Sequence, residues 1–464
     1  MQYDFDIIII GAGPAGMSAA IMADKNGASV CLLDEQPSAG GQIYRNVTNV
    51  TEQGAKILGS DYLEGRTLVE SLNNSQVIHR SGVTVWKVGK KGNVAFSDQG
   101  LAERLQGRHI IIANGATERA VPIPGWTLSG VLTVGAGQIL MKTGSIVPSN
   151  SVLIGSGPLL YLVASQMLAA GSPPKAIVET QTLENLLKAL PHFGKALRSW
   201  KQLLKGIKLI LALKLARVPR YKAATEISIQ GEDNVKSVKF RASGIDHQID
   251  TNVVLLHQGV VPNTQITRSL SLEHRYDMAQ RCFHPVTDDF GQSSHSLFTI
   301  SGDGSGIGGA KVAAISGKIS ALNALFCIGK ISKSDRNQVV APLQKTRRSE
   351  LSIRPFLDAA YPPPNSILLP HDDTIICRCE EVTAGDIRRY AALGCKGPNQ
   401  TKSFGRSGMG PCQGRFCGLT VTEILASETG ATQDAVGSYR IRSPLKPISL
   451  KELASLNDSK EHSS

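Results

Sequence analysis

Short runs of β-branched and aliphatic residues recur along the first 330 residues. The first, residues 5–10, contains four consecutive isoleucines and is typical of a parallel strand buried on both faces. A glycine-rich turn and a helical segment, residues 17–23, follow it directly. Similar runs lie at 29–33, 108–113, 151–154, 176–178, 253–256 and 297–300. The pattern predicts an α/β fold built from β-α-β units.

The turn after the first run reads Gly11-Ala12-Gly13-Pro14-Ala15-Gly16. In such a turn Gly11 permits the tight bend, Gly13 lets a phosphate approach the backbone, and Gly16 lets the helix pack closely on the strand. Pro14 and Ala15 complete the turn, and the N-terminus of the helix that follows directs its N–H groups and positive dipole end at a pyrophosphate. This turn therefore predicts a dinucleotide site.

An acidic residue completes the first site. The second strand, residues 29–33, ends at Asp34, 23 residues after Gly11, where a carboxylate can accept hydrogen bonds from a ribose. Glu35 is the alternative if the register shifts by one residue. In the loop that follows we include Gly41, Gln42 and Arg45 among the cofactor-binding residues, without a catalytic role.

Two later segments resemble flavoproteins with two dinucleotide-binding domains. Residues 108–116 resemble their strand and Ala-Thr-Gly element, with Asn114 before Gly115 where Thr is usual. Residues 297–304 resemble their late strand, which ends in Gly302-Asp303, and residues 253–264 resemble their Gly-x-x-Pro-Asn element. The resemblance covers residues 1–330. It implies that the first site binds FAD and that Asp303 contacts the ribityl–phosphate portion.

A second glycine turn starts at residue 155. Gly155 and Gly157 match the fingerprint, but Leu160 replaces the third glycine, where its side chain should displace the helix or obstruct the phosphate. The next strand ends in Glu179, in the position of a ribose partner. Three interpretations stay open: an NAD(P) site, a site for another nucleotide such as ATP, or a degenerate scaffold without ligand.

Composition limits the classes of function. The chain has 464 residues, 41% of them hydrophobic, and a net charge of +12 that is spread along its length. This indicates a solvated basic surface or an acidic partner subunit, and we expect no nucleic-acid partner.

Without a signal peptide or an apolar run of about 18 residues, we expect a cytoplasmic protein with no transmembrane segment. Any association with the inner membrane would be made through partners. Residues 183–215 are predicted to be amphipathic helix that packs or covers an interface.

Four of the eight cysteines form two close pairs. Cys377 and Cys379 are separated by one residue, Cys412 and Cys417 by four, and 32 residues lie between the pairs. In a cytosolic chain this spacing indicates a tetrathiolate site for [2Fe–2S] or zinc, and spacing alone does not decide between them. The segment resembles the bacterioferritin-associated-ferredoxin-like domain, which implies [2Fe–2S]. Cys31, Cys282, Cys327 and Cys395 fall outside the pattern, and no Cys-x-x-Cys pair occurs.

The predicted domains follow from these motifs. The fold class is α/β, with two Rossmann-like domains of the disulfide-reductase type and a small C-terminal module. We assign residues 1–148 and 266–332 to the FAD-binding domain, 149–265 to a degenerate NAD(P)-binding-like domain, 333–370 to a proline-punctuated linker, 371–430 to the [2Fe–2S] module and 431–464 to a tail with a frayed end.

Nearly the whole chain resembles the large subunit of heteromeric amine dehydrogenases and oxidases. That family includes the large subunits of opine oxidase, D-hydroxyproline dehydrogenase, dye-linked L-proline dehydrogenase and hydrogen cyanide synthase. The resemblance implies an oxidoreductase acting on CH–NH or CH–NH2 groups of an opine, D-hydroxyproline, proline or glycine type of substrate. It also implies a partner like D-amino-acid or glycine oxidase, with its own flavin, and in some complexes a further small subunit. This chain would relay electrons to a dye or a respiratory acceptor.

Two other hypotheses remain. In the first, the chain is a self-contained NAD(P)H-dependent reductase. In the second, the cysteine module is a zinc-binding interaction domain.

Overall fold

The computed structural model describes residues 2–458. Its first part contains, in chain order, β1 (Phe5–Ile10), α1 (Pro14–Lys25), β2 (Val30–Asp34), α2 (Glu52–Leu58), α3 (Ser60–Asn73), β3 (Ile78–Ser81), β4 (Thr84–Val88), β5 (Asn93–Asp98), β6 (Leu101–Ile112), β7 (Ala116–Glu118), β8 (Val131–Thr133) and α4 (Val134–Gly144).

The middle part contains β9 (Ser151–Ser156), α5 (Pro158–Ala169), β10 (Ala176–Glu179), α6 (Leu183–Ala189), α7 (Phe193–Ala196), α8 (Trp200–Leu215), β11 (Arg220–Tyr221), β12 (Thr225–Gly231), β13 (Val235–Ala242), β14 (Ile245–Asp250), β15 (Val253–Gln258), β16 (Val260–Pro262) and α9 (Gln265–Ser269).

The last part contains β17 (His274–Asp277), β18 (Cys282–Pro285), β19 (Phe298–Ile300), α10 (Ala310–Cys327), α11 (Lys333–Leu351), α12 (Arg354–Ala360), α13 (Asn365–Leu368), β20 (Ile375–Cys377), β21 (Val382–Thr383), α14 (Ala384–Ala392), α15 (Pro398–Gly405), α16 (Gly418–Thr429), α17 (Gln433–Val436) and α18 (Leu450–Asp458).

The first sheet has the strand order β3-β2-β1-β6-β5-β4, with β19 also paired to β6. The β1–β2, β2–β3, β1–β6 and β6–β19 pairs are parallel, so β1, β2, β6 and β19 end at the same edge. The isoleucines of β1 and β6 are almost fully buried, and α1 and α10 pack together on one face. The predicted dinucleotide-binding fold, including the return of the chain through the late strand, is confirmed.

The second sheet has the order β11-β10-β9-β15-β8 and is parallel throughout. A three-stranded antiparallel sheet, β12-β13-β14, packs beside it. β8 and α4 belong to this unit, although we predicted that residues 1–148 all lie in the first domain. The chain crosses earlier because Val121, Ile123 and Trp126 are already buried in the core of the second unit. β7 and β16 pair where the two units meet.

The segment predicted as a linker, residues 333–370, is helical over most of its length. Pro342 lies inside α11 without ending it, Pro355 occupies the first turn of α12, and Pro364 is the N-cap of α13. A first-turn position leaves the backbone N–H without an intrahelical partner in any case, so proline is tolerated there. α11 packs on α10, with the Arg336 guanidinium 4.4 Å from the Phe326 ring centroid.

The C-terminal module extends beyond residue 430. Val436, Tyr439, Ile441 and Leu445 are buried with the module's other core residues. α18 lies along β6, where Ala102 N donates to Ser455 Oγ at 2.8 Å. The predicted tail is therefore packed at least this far, and the last residues of the predicted frayed end lie outside the described part of the chain.

Among the described residues, α10 is long and apolar enough by length and composition to cross a membrane. More than half of it, 56%, is buried inside the protein, where it packs against α1 and β6. That is the environment of a core helix in the first unit.

Candidate cofactor sites

The first glycine turn lies at the carboxyl edge of the first sheet. A Cβ on Gly11, whose φ is +104°, would stand 2.5 Å from the Ala113 carbonyl oxygen, and one on Gly16 would stand 1.8 Å from the Gly11 oxygen. Neither backbone contact can be relieved by side-chain motion, so both positions require glycine. A Cβ on Gly13 would meet only Gly41 Cα, at 3.8 Å. The space above Gly13 is thus open, as a phosphate requires.

Asp34 and Glu35 differ in orientation. Asp34 is buried; its Oδ2 accepts from Ala12 N at 3.0 Å and its Oδ1 from Gln36 N at 3.1 Å. Burial raises the pKa of Asp34, and the two backbone N–H groups oppose that rise. Glu35 is exposed and pairs with Lys446 of the C-terminal segment. Of the two candidates, only Asp34 contacts the glycine turn.

The loop at residues 40–45 folds over this turn. Gly41 has φ +60°, and a Cβ there would lie 2.8 Å from Gly13 Cα. Arg45 Nε donates to the Gly41 oxygen at 3.1 Å, while Gln42 is exposed. Sequence reasoning missed Lys142 of α4, whose Nζ donates to the carbonyl oxygens of Gln42 at 3.0 Å and Ile43 at 2.9 Å. Burial lowers the pKa of Lys142 to about 7.

Two further loops border the same edge. Asn263 N donates to the Gly115 oxygen at 3.0 Å, and Asn114 Nδ2 donates to the Asn263 oxygen at 3.0 Å. Asn114 Oδ1 is buried without a hydrogen-bond partner among the described residues. Asp303 Oδ1 accepts from the N–H groups of Gly308 and Gly309, just before α10, at 2.9 and 3.0 Å.

A residue of the late-strand turn also packs on the glycine-rich helix. A Cβ on Gly302, whose φ is +70°, would lie 2.7 Å from Ala15 Cβ of α1. The structure thus gathers the first-site residues predicted from sequence at one sheet edge, except Glu35, which points away. The open face of Gly13 and the unpartnered amide oxygen of Asn114 fit an extended dinucleotide with a ring system, as in FAD.

The second glycine turn differs from our expectation. Leu160 is fully buried with the hydrophobic residues of α4, α5 and β15, so it does not fill the turn. A Cβ on Gly157 would meet only the His257 ring, with Cδ2 and Nε2 both at 3.7 Å. The obstruction that we predicted for Leu160 is therefore absent, because the leucine side chain points into the core.

The predicted ribose partner at this turn already has an ion pair. Glu179 is fully buried, and its Oε1 accepts from Arg220 Nε at 2.7 Å and Nη2 at 2.5 Å. Its Oε2 has no partner within residues 2–458. Glu179 therefore keeps one buried oxygen without a partner while its charge is balanced by Arg220.

His257 was not singled out from sequence, because one histidine at the end of an apolar strand carries no motif. Its Nδ1 is 2.7 Å from Glu118 Oε1, and Glu118 Oε2 accepts from Gly135 N at 2.8 Å. The Nε2 atom is left facing Gly157. The arrangement presents an imidazole, backed by a carboxylate, to the space above the second turn.

The four predicted metal ligands meet as two pairs. Cys377 contacts Cys417, and Cys379 contacts Cys412. Hydrogen bonds from the Cys417 thiol and from the N–H groups of Gly408, Glu380 and Cys379 lower the pKa of Cys377 to about 6. A Cβ on Gly410 would stand 2.2 Å from Cys379 Cβ, so the loop needs glycine there. Cys395 is buried elsewhere in the module.

The metal prediction itself is not confirmed. Within residues 2–458, no group of three or more His, Cys, Asp or Glu side chains has the arrangement of a metal site. The donor set nevertheless fits a thiolate-bound cluster, because backbone N–H groups point at the Cys377 sulfur. Soft thiolates of this kind suit iron–sulfur clusters or zinc.

Comparison with known proteins assigns the family. Residues 5–317 match the pyridine nucleotide-disulphide oxidoreductase family, and residues 372–456 match the sarcosine oxidase A3 domain. The chain is 43% identical to the A-subunit of opine oxidase from Rhizobium meliloti over 97% of this chain and 88% of that protein. The chain belongs to the opine oxidase A-subunit family. The predicted family, and with it an oxidoreductase of flavoprotein type, is confirmed.

Other relatives of the opine oxidase A-subunit family agree with this assignment. Hydrogen cyanide synthase subunit HcnB of Pseudomonas protegens is 30% identical, with 95% of this chain and 96% of that protein covered. The crystal structure of L-proline dehydrogenase from P. horikoshii has a TM-score of 0.70 at 16% identity, covering 97% of this chain and 79% of that one. The likeness to L-proline dehydrogenase shows a shared fold.

Proposed function

We propose that this chain is the FAD-containing electron-transfer subunit of a heteromeric oxidase or dehydrogenase that acts on an opine, amino acid or imino acid. Its relatives are named as subunits of opine oxidase and of hydrogen cyanide synthase. A separate subunit, similar to D-amino-acid or glycine oxidase, oxidises the substrate. The electrons then leave through this chain to a dye or a respiratory acceptor.

The position of the cysteine loop carries this proposal. Gly414 and Gly418, on either side of Cys417, line the same cavity as Thr117 and Asn263. Asn263 is hydrogen-bonded to Gly115 at the candidate flavin edge. The loop that carries Cys412 and Cys417 and the candidate flavin edge therefore border one small cavity, which favours electron transfer between groups bound at the two places.

The chain's own residues supply binding and orientation. Gly13 and the start of α1 would hold the pyrophosphate, Asp34 would accept from a ribose, and Asp303 fixes the turn before α10. FAD held there would supply two-electron acceptance with one-electron release, which would match a [2Fe–2S] cluster held by the cysteine quartet.

The cysteines also argue against dithiol chemistry at the flavin. Of the described cysteines, Cys31 lies within β2 and Cys282 within β18, and neither has a second cysteine beside it. A disulfide reductase of this fold needs such a pair. Its absence is consistent with oxidation of the substrate on a partner protein.

We infer in addition that the second glycine turn binds a nucleotide, with His257 contacting the phosphate. The open face of Gly157 and the free Nε2 of His257 support this. ATP and NAD(P)H are the two candidates, and NAD(P)H would turn the chain into a self-contained reductase. Titration of protein without nucleotide at this turn, with ATP and with NAD(P)H, distinguishes the two. His257→Asn should weaken nucleotide binding about tenfold without loss of FAD.

The test of the main proposal is anaerobic flavin reduction. The purified chain should stay oxidised with opines and amino acids, and with NADH or NADPH. It should bleach when the substrate-oxidising subunit is added with its substrate. Full turnover by the lone chain, or rapid bleaching by NADH, would contradict the proposal. Iron and acid-labile sulfide analysis tests the cluster separately, and zinc without sulfide would favour the interaction-domain alternative.

A further inference from the structure

The outer face of α8 carries an apolar stripe that the described part of the chain leaves largely exposed. The stripe consists of Trp200, Leu204, Ile207, Leu211 and Leu215, which are between 44% and 75% exposed. At 3.6 residues per turn, these side chains fall within about 80° of the helix circumference. Leu213, on the opposite side of α8, is fully buried. The helix therefore packs on the protein through one face and presents a second apolar face outward.

This second face is unusual for a surface helix, whose outward residues are normally polar. The segment that leads into α8 has six more exposed large apolar side chains: Leu183, Leu186, Leu187, Leu190, Phe193 and Leu197. Packing on α12, which includes the contact of Phe193 with Phe356, thus covers only part of the apolar pattern at residues 183–215.

Basic residues surround the stripe. Residues 183–217 contain eight Lys or Arg and a single acidic residue, Glu184. Lys201 and Lys208 flank one side of the stripe and Lys214 flanks the other, and none of the three forms an ion pair within the described chain. The surface is therefore apolar along its centre and positively charged along its borders.

We propose that the α8 stripe binds the surface of an anionic lipid bilayer. Tryptophan, leucine and isoleucine on one face with lysine beside them is the pattern of a helix that lies in a membrane interface. Lysine is depleted at protein–protein interfaces, and six of the eight basic residues here are lysines. Charge complementarity thus favours acidic headgroups over a partner protein. The inference does not depend on the proposed function.

Flotation with vesicles tests this surface. The full chain with FAD should float with vesicles of equal parts phosphatidylglycerol and phosphatidylcholine, and remain behind with phosphatidylcholine alone. High salt should weaken the binding. Each lysine near an anionic surface contributes about fivefold to partitioning, so a variant carrying Lys201→Gln, Lys208→Gln and Lys214→Gln should partition about a hundredfold more weakly.

A second variant, with Leu204→Gln, Ile207→Gln and Leu211→Gln, should lose flotation while its unfolding temperature and flavin content stay unchanged. The matched control replaces Ile78, Leu101 and Ile245, which are 50–60% exposed elsewhere on the surface, with Gln and should float like the parent. Equal flotation of parent and stripe variants would overturn the proposal. Failure of the parent to float would also overturn it. Failure of the complex with the partner subunit to float would overturn it too, because the partner would then cover the stripe.

Discussion

Replacing Gly13 with alanine should separate flavin binding from folding. Gly13 has a φ of −75°, which any residue adopts, and a Cβ there meets only Gly41 Cα at 3.8 Å. The apoprotein should therefore keep its stability to within about 0.5 kcal/mol. In the holoprotein the methyl group would occupy the space through which the pyrophosphate reaches the helix N-terminus.

The magnitude follows from the contacts that are lost. A hydrogen bond from a backbone N–H to a charged phosphate contributes about 1.5–3 kcal/mol. Losing one or two of them weakens FAD binding by about 3 kcal/mol, which is roughly a hundredfold in Kd. Gly16→Ala is the matched contrast, because its Cβ would stand 1.8 Å from the Gly11 oxygen and should destabilise the fold itself.

The assay removes FAD from the parent and both variants, measures urea unfolding of each apoprotein, and titrates FAD by fluorescence. We expect Gly13→Ala to unfold like the parent but bind FAD about a hundredfold more weakly, and Gly16→Ala to unfold earlier. Parental FAD affinity in Gly13→Ala would refute the placement of the pyrophosphate at this turn.

Three further predictions concern Lys142, the cysteine quartet and the ion pair of Glu179 with Arg220. Lys142 has a pKa of about 7 in the folded protein, against 10.5 ordinarily, so the unfolded chain binds more protons between pH 7 and about 10. The free energy of unfolding should therefore rise over this pH range. Urea unfolding should show this rise in the parent and a flatter profile in Lys142→Met. Cys379→Ser should abolish bound iron and acid-labile sulfide, whereas Cys395→Ser should retain both; equal retention would contradict the ligand assignment. Arg220→Met leaves the Glu179 carboxylate buried and unpaired and should destabilise the protein by about 3–5 kcal/mol, while the Glu179→Gln/Arg220→Met double variant should recover most of that loss in thermal unfolding; no recovery would show that the guanidinium acts through packing alone.

Local patterns predicted the first unit well. The isoleucine run, the glycine turn and the acid at the end of β2 are contiguous in sequence, and backbone sterics at Gly11 and Gly16 leave few other conformations. Burial on both faces demands the apolar composition of β1 and β6. Where the sequence dictates local geometry in this way, the fold follows from it.

The errors involve tertiary context. Leu160 breaks the fingerprint in sequence, yet it packs into a core made by distant residues of α4 and β15. The prolines within residues 333–370 indicated a linker because the sequence alone does not show where each proline falls relative to a helix. The pairing of His257 with Glu118 joins residues 139 positions apart, and no spacing rule connects them. The domain boundary was misplaced because β8 pairs with β15, a contact made only in the folded chain.

The central claim is that the flavin of this chain receives its electrons from a partner subunit. Anaerobic rapid mixing of the chain with an opine, proline or D-amino acid, alone and in complex with the substrate-oxidising subunit, tests it most directly. The account predicts an unchanged flavin spectrum for the chain alone and rapid bleaching in the complex. Substrate-driven bleaching and turnover by the isolated chain would contradict it.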